Sequence, residues 1–225
     1  MTRNNRGQAY TLEAVVGALL VISSVVFALN ATVVTPSTAG EESPDARDSL
    51  RQQASDVLAI TAASDSFDLS TLVRYWDPAR RTFYQGLSPE RGYGSAPPPQ
   101  QFGAMLEETF TSRGYLYNVE IAYLTGADEP TCGPGSVSTG DDSVATETTT
   151  MVRQGTPPKN AVVATHTVTL FDNQTLSTDQ LANQGVKLCE YDTNATDNDD
   201  GYYPVPDADP DGPLYNVVEI RVIVW

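Results

Sequence analysis

The stretch that most constrains this chain is Ala14 to Leu29, AVVGALLVISSVVFAL. It runs sixteen residues without a charge, and only Ser23 and Ser24 are polar. With Leu12 before it and Thr32-Val33-Val34 after it, the stretch approaches the roughly 20 residues a membrane-crossing helix needs. Arg3 and Arg6 form a short basic head, and Glu13 sits where the apolar run begins. The pattern predicts a basic cytoplasmic leader over 1–7 and a transmembrane helix over 8–34. The N-terminus stays cytoplasmic and the remainder lies outside, because basic flanks are retained on the cytoplasmic side.

Three uses of such a stretch are open. It can be a secretory signal cleaved near Ala28 or Ala31, an uncleaved single-span anchor, or a processed helix that is kept. The third rests on the residues RGQAYTLEAVVGALL. Arg6, Gly7, Gln8, Thr11 and Glu13 followed by an unbroken apolar run resemble the prepilin-type signal of archaeal type IV pilins. The resemblance implies a prepilin-type peptidase that cuts on the cytoplasmic side, before the apolar helix. A cut after Gly7 makes Glu13 the sixth mature residue, and a cut after Gln8 makes it the fifth, where the family usually places it. Glu13 has a physical reason to be there. A carboxylate in hydrocarbon is costly unless paired, and a freshly cut α-amino group on the same or a neighbouring chain is a suitable partner. An interfacial Glu13 at headgroup depth is the plainer alternative.

Charge narrows the partners. Asp and Glu number 29 against 13 Lys and Arg, a formal net charge of -16. A surface this acidic repels nucleic acid and anionic lipid. It suits concentrated salt, where screening removes the self-repulsion. The resemblance and the charge together imply a haloarchaeal surface protein. The two cysteines, Cys132 and Cys189, are far apart and unaccompanied by close His or Cys pairs, which excludes a zinc site. Outside the cytosol they can form one disulfide. It would close a loop of roughly 57 residues and stabilise by about 4 kcal/mol on the chain-entropy model.

Beyond the apolar run, 35–44 reads as a linker, because Pro36 and Gly40 interrupt any helix. Residues 45–225 then form an acidic extracellular domain of about 180 residues, enough for one core. Ser43-Pro44-Asp45 is a helix start. Leu50, Ala54, Val57, Leu58 and Thr61 fall on one face of a helix running to about Ala63. Ser66–Gly86 mixes apolar and aromatic residues without a clear period. Gln101–Ser112 returns to helical spacing through Phe102, Met105, Leu106 and Phe110, with Gly114 placed to stop it. Tyr115–Leu124, Ser143–Arg153, Ala161–Phe171 and Leu214–Trp225 read as strands, and Val186–Tyr191 as a further one. A short helix is expected over Thr178–Asn183. The fold class expected is α+β: an N-terminal transmembrane helix, then helices packed on a mainly antiparallel β-sheet. YLYNVEI at Tyr115 is echoed by LYNVVEI at Leu214, too short an echo for a repeat.

Candidate sites are sparse. Asp207-Ala208-Asp209-Pro210-Asp211-Gly212 resembles the opening of a calcium loop, with alternate carboxylates converging on a hard cation. The closing Glu219 falls one residue late, so backbone oxygen, Asp199 or Asp200 would complete such a site. A solvated acidic loop is the plainer alternative. Asn173 and Asn194 head accessible glycosylation sequons, whereas Asn30 lies too near the membrane. His166 lies within a strand without a second ligand and reads as structural. Arg80-Arg81 reads as a surface pair. No GxSxG elbow, P-loop, HExxH or dinucleotide fingerprint occurs, so the chain reads as a non-enzyme needing no cofactor, calcium apart. By resemblance it would be a minor pilin or pseudopilin, with the membrane, a peptidase and other pilin-like subunits as partners. The rival is a membrane-tethered binding domain that never polymerises.

Overall fold

The structure is a computed structural model that describes residues 15–21, 44–125, 145–178, 185–191, 201–209 and 212–225. The chain divides into two units, Met1–Glu41 and Glu42–Trp225. In the first, residues 15–21 are helical (α1), and every one of them is exposed. Among the described residues no helix is long and apolar enough to cross a membrane. Of the expected span over 8–34, only 15–21 lies within those residues.

In the second unit the first helix, Pro44–Ala62 (α2), carries Asp45 in its first turn, where a carboxylate complements the exposed N–H groups. It buries Leu50, Ala54, Val57, Leu58 and Thr61, the face its spacing predicts. Thr61 is tolerated inside because its hydroxyl donates to the carbonyl of Val57 at 2.8 Å. Each fully buried aliphatic side chain on that face contributes about 1.5–3 kcal/mol.

The irregular stretch that follows holds a short helix, Leu69–Val73 (α3), and a minimal hairpin, Trp76–Asp77 (β1) with Thr82–Phe83 (β2). Asp68 caps α3 by accepting from the N–H of Thr71 at 2.7 Å. Trp76 is buried edge-on to Phe83, their centroids 5.1 Å apart, and its indole N–H donates to the carbonyl of Tyr202 at 2.7 Å. Arg80 is exposed, and the guanidinium of Arg81 lies 5.9 Å from the centroid of the Tyr202 ring. The next helix, Gln100–Thr109 (α4), buries Phe102 and Leu106, with Phe110 at its C-cap also buried. A single 3-10 turn then ends at Gly114, whose φ of 86° is the left-handed cap its position predicts. The triple-proline run folds so close over α4 that a Cβ at Gly103 would run into the carbonyl oxygen of Pro98.

The sheet is four-stranded and antiparallel throughout, in the order β4-β3-β6-β5, from Tyr117–Thr125 (β3), Ala145–Arg153 (β4), Val162–Phe171 (β5) and Leu214–Val224 (β6). The two central strands bury Tyr117, Val119, Ile121 and Tyr123 against Val218, Ile220, Val222 and Val224. α2 packs on β5 and β6, and α4 packs on α2. The opposite face of β5 is exposed from Val163 through Thr165, Thr167 and Thr169 to Phe171. His166 is half-buried opposite Ile220. The α+β class with helices on an antiparallel sheet is thus observed.

One expected strand is a correction. Val186–Tyr191 is not a strand but a turn of 3-10 helix at Leu188–Glu190, with a lone bridge between Thr175 and Lys187. The reason is local. Leu188, Cys189 and Tyr191 are all buried, so burial does not alternate, and the Glu190 carboxylate folds back to accept from the N–H of Lys187 at 2.8 Å. Most of the short helix expected over Thr178–Asn183 lies outside the described residues.

Candidate functional site

The strongest concentration of unbalanced chemistry lies at the start of β6. There the loop 201–209 is pinned along the strand. The N–H of Ala208 donates to the carbonyl of Tyr215 at 2.6 Å, and the Asn216 amide donates to the carbonyl of Pro206 at 2.8 Å. The Tyr215 hydroxyl donates to the carbonyl of Val205 at 2.5 Å. On the other side of β6, β5 ends at Phe171, and the N–H of Asp172 donates to the carbonyl of Pro213 at 3.3 Å. Asp207 and Asp172 therefore flank the same few residues from two sides.

Asp207 is 1% exposed. One carboxylate oxygen accepts from the N–H of Asp209 at 2.9 Å, and the other, Oδ2, is buried with no hydrogen-bond partner. Asp172 is only half-buried, but its Oδ1 is likewise buried and unpartnered. A buried polar atom without a partner costs about 1–3 kcal/mol, more when charged. Burial pushes the Asp207 carboxyl up to about 6. The N–H of Asp209 pulls the other way, and the charges of Asp172 and Asp209 push it up further. Asp172 is raised too, by burial and then by Asp209, with Lys187 as its one opposing charge. Among the described residues the only ion pairs are Arg51–Asp48 and Arg221–Glu219, so neither aspartate is neutralised by one.

Asp207 is buried while Asp209 is exposed, and Asp211 lies outside the described residues. Among the described residues no three His, Cys, Asp or Glu side chains gather as metal ligands. The charge of Asp172, which no motif in the sequence singles out, bears on Asp207. Asp172 is the first residue past a long alternating strand, and only the pairing of β5 with β6 brings it to the loop.

Other candidate residues are placed as follows. Cys189 is buried and disulfide-bonded; the chain's other cysteine, Cys132, lies outside the described residues. Asn173 is exposed in the turn after β5, open to a glycosylating enzyme. Asn194 and the signal residues Arg6, Gly7, Gln8 and Glu13 also lie outside the described residues.

Residues 6–224 match the family of unknown function DUF7288. The chain belongs to this family. No curated protein matches it, and no solved structure does. The family match begins at Arg6, so it takes in the apolar run and the acidic body of this DUF7288 member together, and leaves Arg3 outside.

Proposed function

We propose that the chain is a single-pass surface protein. In this reading the apolar stretch over 8–34 anchors it in the cell membrane, the acidic α+β body lies outside, and the protein contributes as a minor pilin or pseudopilin to a pilus-like assembly or to adhesion. The observation that carries the reading is the contrast between the units. The body buries most of its large apolar side chains, with scattered exceptions such as Ile60 and Leu87, whereas Val15, Val16, Leu19, Leu20 and Val21 all stand 49–67% exposed on α1. An apolar helix with an uncovered surface suits lipid or a neighbouring helix. The signal-like residues Arg6, Gly7, Gln8 and Glu13 favour processing over simple anchoring, with the N-terminal amine as the partner of Glu13.

A membrane-tethered binding domain that does not polymerise is the second reading, favoured by Pro36 and Gly40. Both residue types disfavour the continued helix that a filament's core would need. N-terminal sequencing of the membrane-extracted protein separates these readings. Gln8 or Ala9 as the first residue supports processing by a prepilin-type peptidase. An intact Met1 or Thr2 leaves the tethered domain, and a start near Ala31 removes the anchor altogether. Glu13→Ala is then expected to be cleaved yet lost from sheared surface complexes; unchanged assembly would rule out the pairing role.

A further inference from the structure

We propose that β5 is an assembly edge: it pairs antiparallel with β5 of a second copy of this chain, joining two four-stranded sheets into one. β5 ends the strand order β4-β3-β6-β5, so only one of its sides is taken. Which backbone groups face the free side follows from the pairing. Leu116 and Trp225 exchange both backbone hydrogen bonds, at 2.9 and 3.0 Å. In an antiparallel ladder such exchanges fall on alternate residues. From Glu219 to Trp225 the odd-numbered residues therefore turn their backbone groups to β3, and Val218, Ile220, Val222 and Val224 turn theirs to β5. Val168, His166, Ala164 and Val162 answer them. The N–H and C=O groups of Val163, Thr165, Thr167 and Thr169 are left pointing away from the sheet. Among the described residues nothing bonds to these groups.

Open edges are ordinarily guarded by charge, proline or a covering segment. The other edge, β4, has such guards. It carries Glu147 and Arg153, the N–H of Tyr93 donates to the carbonyl of Met151 at 2.8 Å, and the N–H of Arg153 donates to the carbonyl of Gly94 at 2.7 Å. β5 runs ten residues without Asp, Glu, Lys, Arg or Pro. Charge and symmetry together name the occupant. The chain carries a net charge of -16, so a cationic partner is drawn to carboxylates, and β5 has none. Two copies repel wherever their acids face, which leaves a charge-free edge as their place to meet. The exposed row Val163, Thr165, Thr167, Thr169 and Phe171 is also nearly symmetric about Thr167. A two-fold axis there sets Thr167 against itself, Thr165 against Thr169 and Val163 against Phe171. These are Thr–Thr and aromatic–β-branched pairs, both favourable across strands. Val163 and Phe171 are 43% and 45% exposed in the single chain, so the pairing also covers apolar surface. Such a contact is isologous and closes as a dimer. It does not depend on how the N-terminus is processed.

The test uses the detergent-solubilised full chain with its native disulfide intact. Sedimentation equilibrium is expected to show a dimer fraction that rises with sodium chloride, as the acidic bodies are screened from each other. Thr167→Lys sets two ammonium groups face to face at the axis and should weaken the dimer by about tenfold or more. Thr148→Lys, at an exposed position on β4, should leave it unchanged. Cross-linking reads the register independently. Thr167→Cys should give a reductant-sensitive dimer under mild oxidation, because directly opposed residues lie within disulfide range, and Thr148→Cys should not. A monomer at every salt concentration would overturn the proposal. So would a dimer that Thr167→Lys leaves intact and Thr167→Cys fails to cross-link, since it belongs to another surface. Weakening by Thr148→Lys instead would mean β4 pairing with β5, and equal cross-linking at both positions would mean random collision; either result overturns it too.

Discussion

Asn118 and Asn216 stand near opposite ends of the β3–β6 ladder, and each uses its side-chain amide as a substitute peptide. Asn216 Oδ1 accepts from the N–H of Leu124 at 3.2 Å, and its Nδ2 donates to the carbonyls of Leu124 at 2.9 Å and Pro206 at 2.8 Å. Asn118 Oδ1 accepts from the N–H of Gln154 at 2.9 Å, and its Nδ2 donates to the carbonyl of Gly155 at 3.0 Å. The echo of Tyr-Asn-Val in the sequence thus has a structural meaning: both copies sit where a strand begins, and an amide side chain ties down the neighbouring segment.

Replacing Asn216 by Ala should remove three hydrogen bonds from a fully buried position and destabilise by about 2–4 kcal/mol. Urea unfolding of the solubilised chain measures this. A loss under about 1 kcal/mol would mean that water takes over the amide's role.

Gly103→Ala should cost more than Gly114→Ala. At Gly103 the added methyl meets the backbone of Pro98, and relief requires the proline run to lift from α4, at roughly 1–3 kcal/mol. At Gly114 nothing lies within contact, and only the left-handed φ is strained, at about 1 kcal/mol. The reverse order would mean that the proline run is free to move.

The two sides of α2 should respond oppositely. Ala54 is fully buried, so Ala54→Leu overpacks the contact with the sheet and destabilises by about 1–3 kcal/mol. Ile60 is 54% exposed, and Ile60→Gln should fall within about 0.5 kcal/mol of the parent. A costly Ile60→Gln would reveal a partner on that side of the helix.

Alkaline pH should unfold the body through its tyrosines. Burial, then Tyr75, pushes the Tyr93 phenol well above its usual range, and burial with Glu190 pushes Tyr191 up to about 12. The folded state therefore holds these protons after the unfolded chain has released them near pH 10. Stability falls as pH climbs from there towards 12. Tyr93 also has an unpartnered buried hydroxyl. Tyr93→Phe should accordingly be neutral or stabilising at pH 7 and lose less stability above pH 10. Chemical denaturation at both pH values checks this, and a parallel decline would remove Tyr93 as a cause.

Reducing the disulfide at Cys189 should lower stability by about 4 kcal/mol if its partner is Cys132, which closes a loop of roughly 57 residues. Non-reducing peptide mapping identifies the partner, and a Cys189–Cys189 linkage between two chains would replace this prediction with dimer formation.

Much of the body was legible because its signals are local. The period of Leu50, Ala54, Val57, Leu58 and Thr61 fixes a helix face, and alternation from Tyr117 to Tyr123 fixes a strand face. The minimal hairpin of Trp76 and Phe83 was not legible, since two-residue strands carry no period and Trp76 packs against distant Tyr202 and Tyr203. The turn at Leu188–Glu190 read as a strand because its apolar content was visible and its back-bonded Glu190 was not. Of the acidic cluster, Asp207 could be picked out from its own motif, but Asp172 is joined to it only by strand pairing.

The strand order has a consequence for when the body can exist. β6 comes last of the four strands in the chain yet lies between β3 and β5. Until it is in place, β3 and β5 have no common neighbour. A chain made N-terminus first therefore cannot complete its sheet until the last strand arrives, and the body closes only when that strand enters between the two earlier ones.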